Sequence, residues 1–361
     1  MNHRYKAAFA AAVVLLAVVP AGASAATKVV LMGTPPTKDG KAIGKLFVDV
    51  NDFFPNGTTI HVGDKVQFTP VGFHNADLPK KGGAASPLLV PTGQPVTGLN
   101  DAAGNQFWFN GAVPQVSFNP VLGQSNLGKT LTYSGSKGIN SGLPPENGKP
   151  KPMTVKFTKT GTFAFYCDIH PGMKGSIRVL AKSKKIPSAK ADAKRLKAQV
   201  ARDLAIAKAL PKAKPAAGTV AVGEAGKFGV EYFGMLPATQ TVPVGTTLKF
   251  QMTAGTREVH TATFGPGDPE KEPNSYLGQL AAAFLPPVPR GDAVYPSDPP
   301  PAGPAALTPT LHGNGFWNSG AMDLANATPL PPSNVVTFAA AGTYNFYCLV
   351  HPFMKGTVVV Q

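Results

Sequence analysis

Short runs in which every second residue is apolar recur along the chain, each bounded by Gly, Pro or Asn. That is the pattern of half-buried β-strands. Late in the chain Leu248 and Phe250, then Val336 and Phe338, then Tyr344, Phe346 and Cys348 fall on one face of their strands. Val155 and Phe157, then Phe163, Phe165 and Cys167, repeat the arrangement earlier. Two stretches break the period. Residues 188–210 place Leu196, Val200, Leu204 and Ala207 on a narrow helical stripe, after Pro187 and before Pro211. Residues 1–25 set His3, Arg4 and Lys6 ahead of an apolar run ending in Ala23, Ser24 and Ala25, which reads as a secretory signal cleaved after Ala25. No later run approaches the ~20 apolar residues of a spanning helix, so the mature protein is expected to be soluble and exported, in a periplasm or outside the cell.

The chain also repeats itself. GTFAFYCDIHPGMKGSIRVL (161–180) matches GTYNFYCLVHPFMKGTVVV (342–360), and FFPNGTTIHVGDKVQF (53–68) echoes MLPATQTVPVGTTLKF (235–250). A histidine follows each upstream segment, His74 in the first copy and His260 in the second. These matches divide the chain into a domain at 26–181, a basic helical linker at 182–216 and a second domain at 217–361. Each domain carries a long Pro- and Gly-rich insertion, 75–150 and 265–333. Within the insertions GNQFWFNG (104–111) resembles GNGFWNSG (313–320), which pairs Trp108 with Trp317 and marks the insertions as duplicates.

Composition agrees with a loop-rich β protein: of 361 residues 39 are Gly and 37 Pro, and 15% are charged. The net charge of +15 is uneven, since residues 181–217 alone hold eleven Lys or Arg against two Asp. That excess lies in one linker and is not interleaved with aromatics, which argues against nucleic acid and leaves, at most, a weak attraction to an acidic envelope. The two cysteines could form one long-range disulfide. Their matched surroundings favour the same separate role for each.

That role is metal binding. Cys-x-x-His-x-x-Met gathers a thiolate, an imidazole and a thioether on one tight loop, and the upstream histidine adds a second imidazole. Two imidazoles and a thiolate with a weak axial thioether suit copper in both oxidation states, and neither zinc nor calcium is the natural match. The order His, Cys, His, Met occurs twice, and four of the six histidines beyond the signal fall in it.

YCDIHPGMKG and YCLVHPFMKG resemble the copper loop of the blue (type 1) copper cupredoxins, with a spacing closest to amicyanin and shorter than that of plastocyanin or pseudoazurin. The likeness covers about 46–74, 151–180, 228–264 and 334–360 and omits the insertions and linker. It implies an all-β chain of two tandem Greek-key sandwiches with one copper each. His74, Cys167, His170 and Met173 would hold one, and His260, Cys348, His351 and Met354 the other. It implies one-electron transfer between redox partners, with His170 and His351 near the surface as the electron's exit. Asn75 and Thr261, each following a ligand histidine, are candidates for tuning the sites, and Gly172 and Phe353 differ at one loop position.

A two-domain copper oxidase or nitrite reductase would need further histidines, typically one beside the Cys. Here the neighbours are Tyr166 and Asp168, and Tyr347 and Leu349. Only His61, expected on an outward strand position, and His312, expected to be structural, are left over. No nucleophile elbow, phosphate loop or zinc-protease motif is present, so no enzymatic activity is expected. Copper storage or delivery uses the same ligands and stays open beside electron transfer.

Overall fold

In the computed structural model, residues 25–145, 150–324 and 330–361 are described; the expected signal, 1–25, lies outside them except for Ala25. Alternation becomes strand wherever it was expected. Met153–Phe157 and Gly161–Tyr166 bury every second side chain, as do Thr247–Gln251, Ser333–Phe338 and Gly342–Tyr347 toward their ends. The inward set, from Val155 to Cys167 and from Leu248 to Cys348, is almost wholly removed from solvent.

Four large sheets follow. One runs in the order Phe53–Phe54, Thr27–Met32, Lys65–Pro70, Met153–Phe157, Thr130–Tyr133, and a second in the order Ile139–Asn140, Asp77–Leu78, Gly161–Tyr166, Lys174–Leu180, Gly57–His61. Their inner faces share a core that includes Phe53, Phe68, Phe157 and Phe165. The later half repeats this strand for strand: Val230–Leu236, Thr219–Ala225, Thr247–Gln251, Ser333–Phe338 and Ala305–Leu307 in one sheet, and Trp317–Asn318, Thr263–Phe264, Gly342–Tyr347, Lys355–Val360 and Thr239–Val242 in the other. Parallel and antiparallel pairings agree throughout; Thr27–Met32 and Thr219–Ala225, for instance, each run parallel to the strand that follows the matched glycine. Those glycines, Gly63 and Gly245, both have φ near +90° (94° and 86°) and both donate to the last Phe of a neighbouring strand, Phe157 or Phe338, at 2.7 Å.

The pairing of Trp108 with Trp317 does not hold. Trp317 lies in a sheet strand whose counterpart is Ile139–Asn140, so GFWNSG matches GINSG (138–142) instead. Ser141 and Ser319 confirm it: each Oγ accepts from the residue two after the upstream histidine, Ala76 at 2.9 Å and Ala262 at 2.8 Å. Trp317 fills the later sandwich, whereas Trp108 donates Nε1–H to the Pro296 carbonyl at 2.9 Å. The shared aromatic residues hid a difference in register.

The insertions are likewise not loop alone. Their ranges contain sandwich strands in both halves, a hairpin of Leu89–Pro95 with Pro114–Phe118, and helix Tyr276–Ala282. They also share one core, in which Phe107, Phe109 and Val116 meet Leu277, Leu280, Val294 and Phe316. The linker helix spans Ala189–Ala207, capped by Ser188, whose Oγ accepts from Ala191 N–H at 3.3 Å. Far from hanging free, it packs Val200 and Ala207 on Ile43, Val50 and Phe54 of the first half and Val230 of the second. Strand Val48–Val50 of the first half pairs with Val230–Tyr232 and so completes a sheet of the second. None of the helices among the described residues is long and apolar enough to cross a membrane.

Candidate metal centres

Each site is assembled by the same two elements. His74 follows strand Lys65–Pro70 and His260 ends the short strand Val259–His260. The other three residues sit on the loop between the last two strands of each half. Antiparallel pairing of Tyr166 with Lys174, and of Tyr347 with Lys355, brings the loop's ends together. Inside it, Cys167 N–H donates to Met173 O at 3.0 Å and Met173 N–H to His170 O at 2.9 Å; Cys348, Met354 and His351 repeat this at 3.0 and 2.8 Å. The six-residue spacing is therefore what lets one turn present all three side chains. Met173 and Met354 are fully buried in the same cores as Cys167 and Cys348.

In the first site the Nδ1 atoms of His74 and His170 are 2.9 Å apart, and Cys167 Sγ lies 3.9 and 3.4 Å from them. In the second, the His260 and His351 Nδ1 atoms are 3.1 Å apart, and Cys348 Sγ lies 3.7 and 3.8 Å away. A triangle with those sides has a point about 2 Å from every corner, close to the usual metal–imidazole and metal–thiolate bond lengths of about 2.0–2.3 Å. Both trios are three-donor groups able to hold a metal ion. The dimensions fit a first-row transition-metal ion, and two imidazoles and a thiolate with a buried methionine sulfur beside them favour copper.

Electrostatics keep three of the four rings neutral. Burial, and then the His170 ring, hold His74 well below the ordinary imidazole pKa. Burial, and then His351, lower His260 to about 3, and burial lowers His351 too. A neutral ring keeps a nitrogen lone pair for a metal. His170 differs: burial opposes its charge, but the Glu258 carboxylate and the Cys167 sulfur together hold its pKa well above the ordinary value. Burial pushes the Cys348 thiol up to about 11, so a cation is needed to draw off its proton.

Around the ligands a second set of groups fixes the geometry. Asn75 Oδ1 accepts from Asp168 N–H and Thr261 Oγ1 from Leu349 N–H, both at 2.8 Å, so each residue after the upstream histidine clamps the residue after the cysteine. Thr261 N–H also points at Cys348 Sγ, 3.4 Å away. Asn75 and Asn140 both donate to Asp168 Oδ2 at 2.7 Å, and burial beside Asp168 raises Asp77 to about 7. Two glycines seat the upstream rings: a Cβ at Gly33 would stand 2.7 Å from His74, and one at Gly223 would stand 2.8 Å from His260.

The loop difference has a spatial cause. Gly172 lies over Arg257 of the second half, where a Cβ would meet Nε at 3.4 Å, while Phe353 is 44% exposed and sits 6.0 Å, ring to ring, from His351. His170 is not near open surface as the resemblance implied. It is 4% exposed and its Nε2 contacts Glu258 of the second half at 2.9 Å. The leftover histidines stay apart from both sites: His61 Nε2 meets Lys184 O at 2.7 Å, and His312 lies between Asp101 and Asp298 at 3.1 and 3.4 Å. Sequence reasoning missed Glu258, Gly33 and Gly223. Glu258 had no signal at all, because Gly72 stands at the matching position of the first copy.

No protein-family model matches the chain, and no curated protein matches it. Among solved structures it is similar to a reduced Cu(I) form of a mutant amicyanin, at 18% identity, covering 42% of this chain and 88% of that one with a TM-score of 0.22. Amicyanin from Paracoccus versutus matches at 18% identity over 42% and 89%, TM-score 0.21. The oxidised form of plastocyanin from Dryopteris crassirhizoma matches at 20% identity over 40% and 99%, TM-score 0.20. Likeness of this degree bears no functional argument by itself; the donor geometry does.

Proposed function

We propose that each half of this chain is a cupredoxin-like domain holding one type 1 copper, and that the exported protein is a one-electron carrier. The ligands are His74, Cys167, His170 and Met173 in one site and His260, Cys348, His351 and Met354 in the other. The carrying observation is the pair of buried Nδ1, Nδ1, Sγ triangles, each with a point at metal-bond distance from all three atoms.

Copper bound there would supply reversible one-electron chemistry. The protein's part is to hold the donors still. The loop is closed by its own backbone hydrogen bonds, the residue after its cysteine is clamped by Asn75 or Thr261, and the upstream ring is seated on Gly33 or Gly223. Donors that cannot relax favour neither oxidation state, which keeps reorganisation small. Burial excludes water from the sulfur, since Cys167 and Cys348 are 1% and 0% exposed. The physiological partners would be a redox donor and acceptor, with the basic helix offering weak attraction to an acidic envelope.

The test is copper stoichiometry with optical and spin-resonance spectra on the mature protein and on Cys167→Ser and Cys348→Ser. Two coppers and an intense blue band are expected, each mutant losing one centre. Full blue absorption surviving in either mutant overturns the assignment for that half. Copper storage or delivery uses the same ligands and would instead show tight Cu(I) retention with slow exchange.

A further inference from the structure

The two sites face each other across a single carboxylate. Glu258 is 8% exposed; its Oε1 lies 2.9 Å from His170 Nε2 and its Oε2 lies 3.8 Å from His351 Nε2. Both loop histidines turn Nδ1 toward their own cysteine, so the carboxylate meets the far edge of each ring. Glu258 stands two residues before His260, and the segment that supplies a ligand to the second site thereby also reaches the first. Asn51 of the first half fixes it, donating Nδ2–H at 3.1 Å both to Glu258 Oε1 and to Glu231 Oε1. Glu231 in turn accepts from Arg257 N–H at 2.9 Å. The bridge is thus built from both halves and buried.

We propose that Glu258 couples the two centres, accepting a hydrogen bond from His170 Nε2 at 2.9 Å and attracting the His351 ring electrostatically across 3.8 Å. A carboxylate on the outer nitrogen of a ligating imidazole fixes the tautomer and strengthens the ring as a donor. Here one carboxylate lies at hydrogen-bond distance from the His170 ring and at ion-pair distance from the His351 ring. With a cation held by His170, the Nε2–H would become a stronger donor and the carboxylate would lean toward that ring, which would lessen its attraction for His351; a cation held by His351 would do the reverse. Filling either centre therefore weakens the other, and by linkage the effect is reciprocal. Glu258 is a positioning residue for both sites and touches neither donor triangle.

The inference rests on both sites taking a metal, and its test separates the two claims. Cu(II) is titrated into the full mature chain, and site-one affinity is compared between wild type with site two filled and Cys348→Ser, where site two is disabled. Weaker binding by about fivefold or more is expected in the former. In Glu258→Ala, and in the isosteric Glu258→Gln, the difference should fall below about twofold, since that is less than the range expected of a coupling. Coupling that persists undiminished in both variants belongs to direct repulsion between the metals and overturns the proposal, as does its absence in wild type. A copper-independent reading comes from 15N resonances of the metal-free protein. A proton on Nε2 is expected at both His170 and His351, with both rings changing in Glu258→Ala. A change at one ring or at neither overturns the shared role even if copper binding proves the proposed function wrong.

Discussion

Replacing Gly223 with alanine would place a methyl group 2.8 Å from His260 Nε2 and 3.0 Å from its Cδ2, while the next nearest atom, Tyr232 O, is 3.6 Å away. The clash is therefore with the ligand ring alone. Gly223 has φ of +77°, where a side chain costs about 1–2 kcal/mol. The ring cannot retreat freely, because Phe233 stands against it at 5.8 Å and the His351 Nδ1 is already 3.1 Å from its own. Yielding by a few tenths of an ångström distorts the donor triangle, so strain and displacement together should cost about 2–3 kcal/mol. About half of that is expected as weaker metal binding, a drop of about tenfold in affinity at the second site. Competition titration with Cu(I) on Gly223→Ala, with urea unfolding of the metal-free protein alongside, measures both parts. The first site should not weaken in the same titration. Second-site affinity within about twofold of wild type would show that the ring is not seated on this glycine, since the argument requires more than 1 kcal/mol there. The matching Gly33→Ala is a less clean probe, because its Cβ would also meet Val71 O at 2.0 Å and disturb the backbone.

Asn75→Ala should destabilise the protein by about 2–4 kcal/mol in urea unfolding, because it strands the buried Asp168 N–H and removes a donor from its carboxylate. Asp52 is buried and its pKa is raised from 3.8 to about 6, so the folded state keeps a proton that the unfolded chain has released. Stability should accordingly fall as pH rises through that window, by at most about 3 kcal/mol, and Asp52→Asn should flatten the slope in pH-dependent melting. Trp108→Ala removes the hydrogen bond to Pro296 O and packing against Phe109, and should cost about 2 kcal/mol and open residues 89–118 to limited proteolysis.

The strands and both ligand loops were legible because their determinants are local. Alternation places Phe163, Phe165 and Cys167 on one face, and the spacing Cys, His, Met fits one hydrogen-bonded turn whatever surrounds it. The long helix was legible for the same reason, from its stripe and its flanking Pro187 and Pro211, within a few residues of its observed end. Motif likeness failed where register decided the outcome: GNQFW looked like GNGFW, yet the strand that sits beside Asp77–Leu78 is the one carrying Ile139 and Asn140. Only the tertiary structure placed Val48–Val50 in the other half's sheet, gave the two insertions one core, and brought His170 and His351 to the same carboxylate. Those features depend on which of many distant apolar faces and polar partners meet when the halves pack. A single chain of letters specifies that only through the summed energy of the whole fold, not through any short pattern within it.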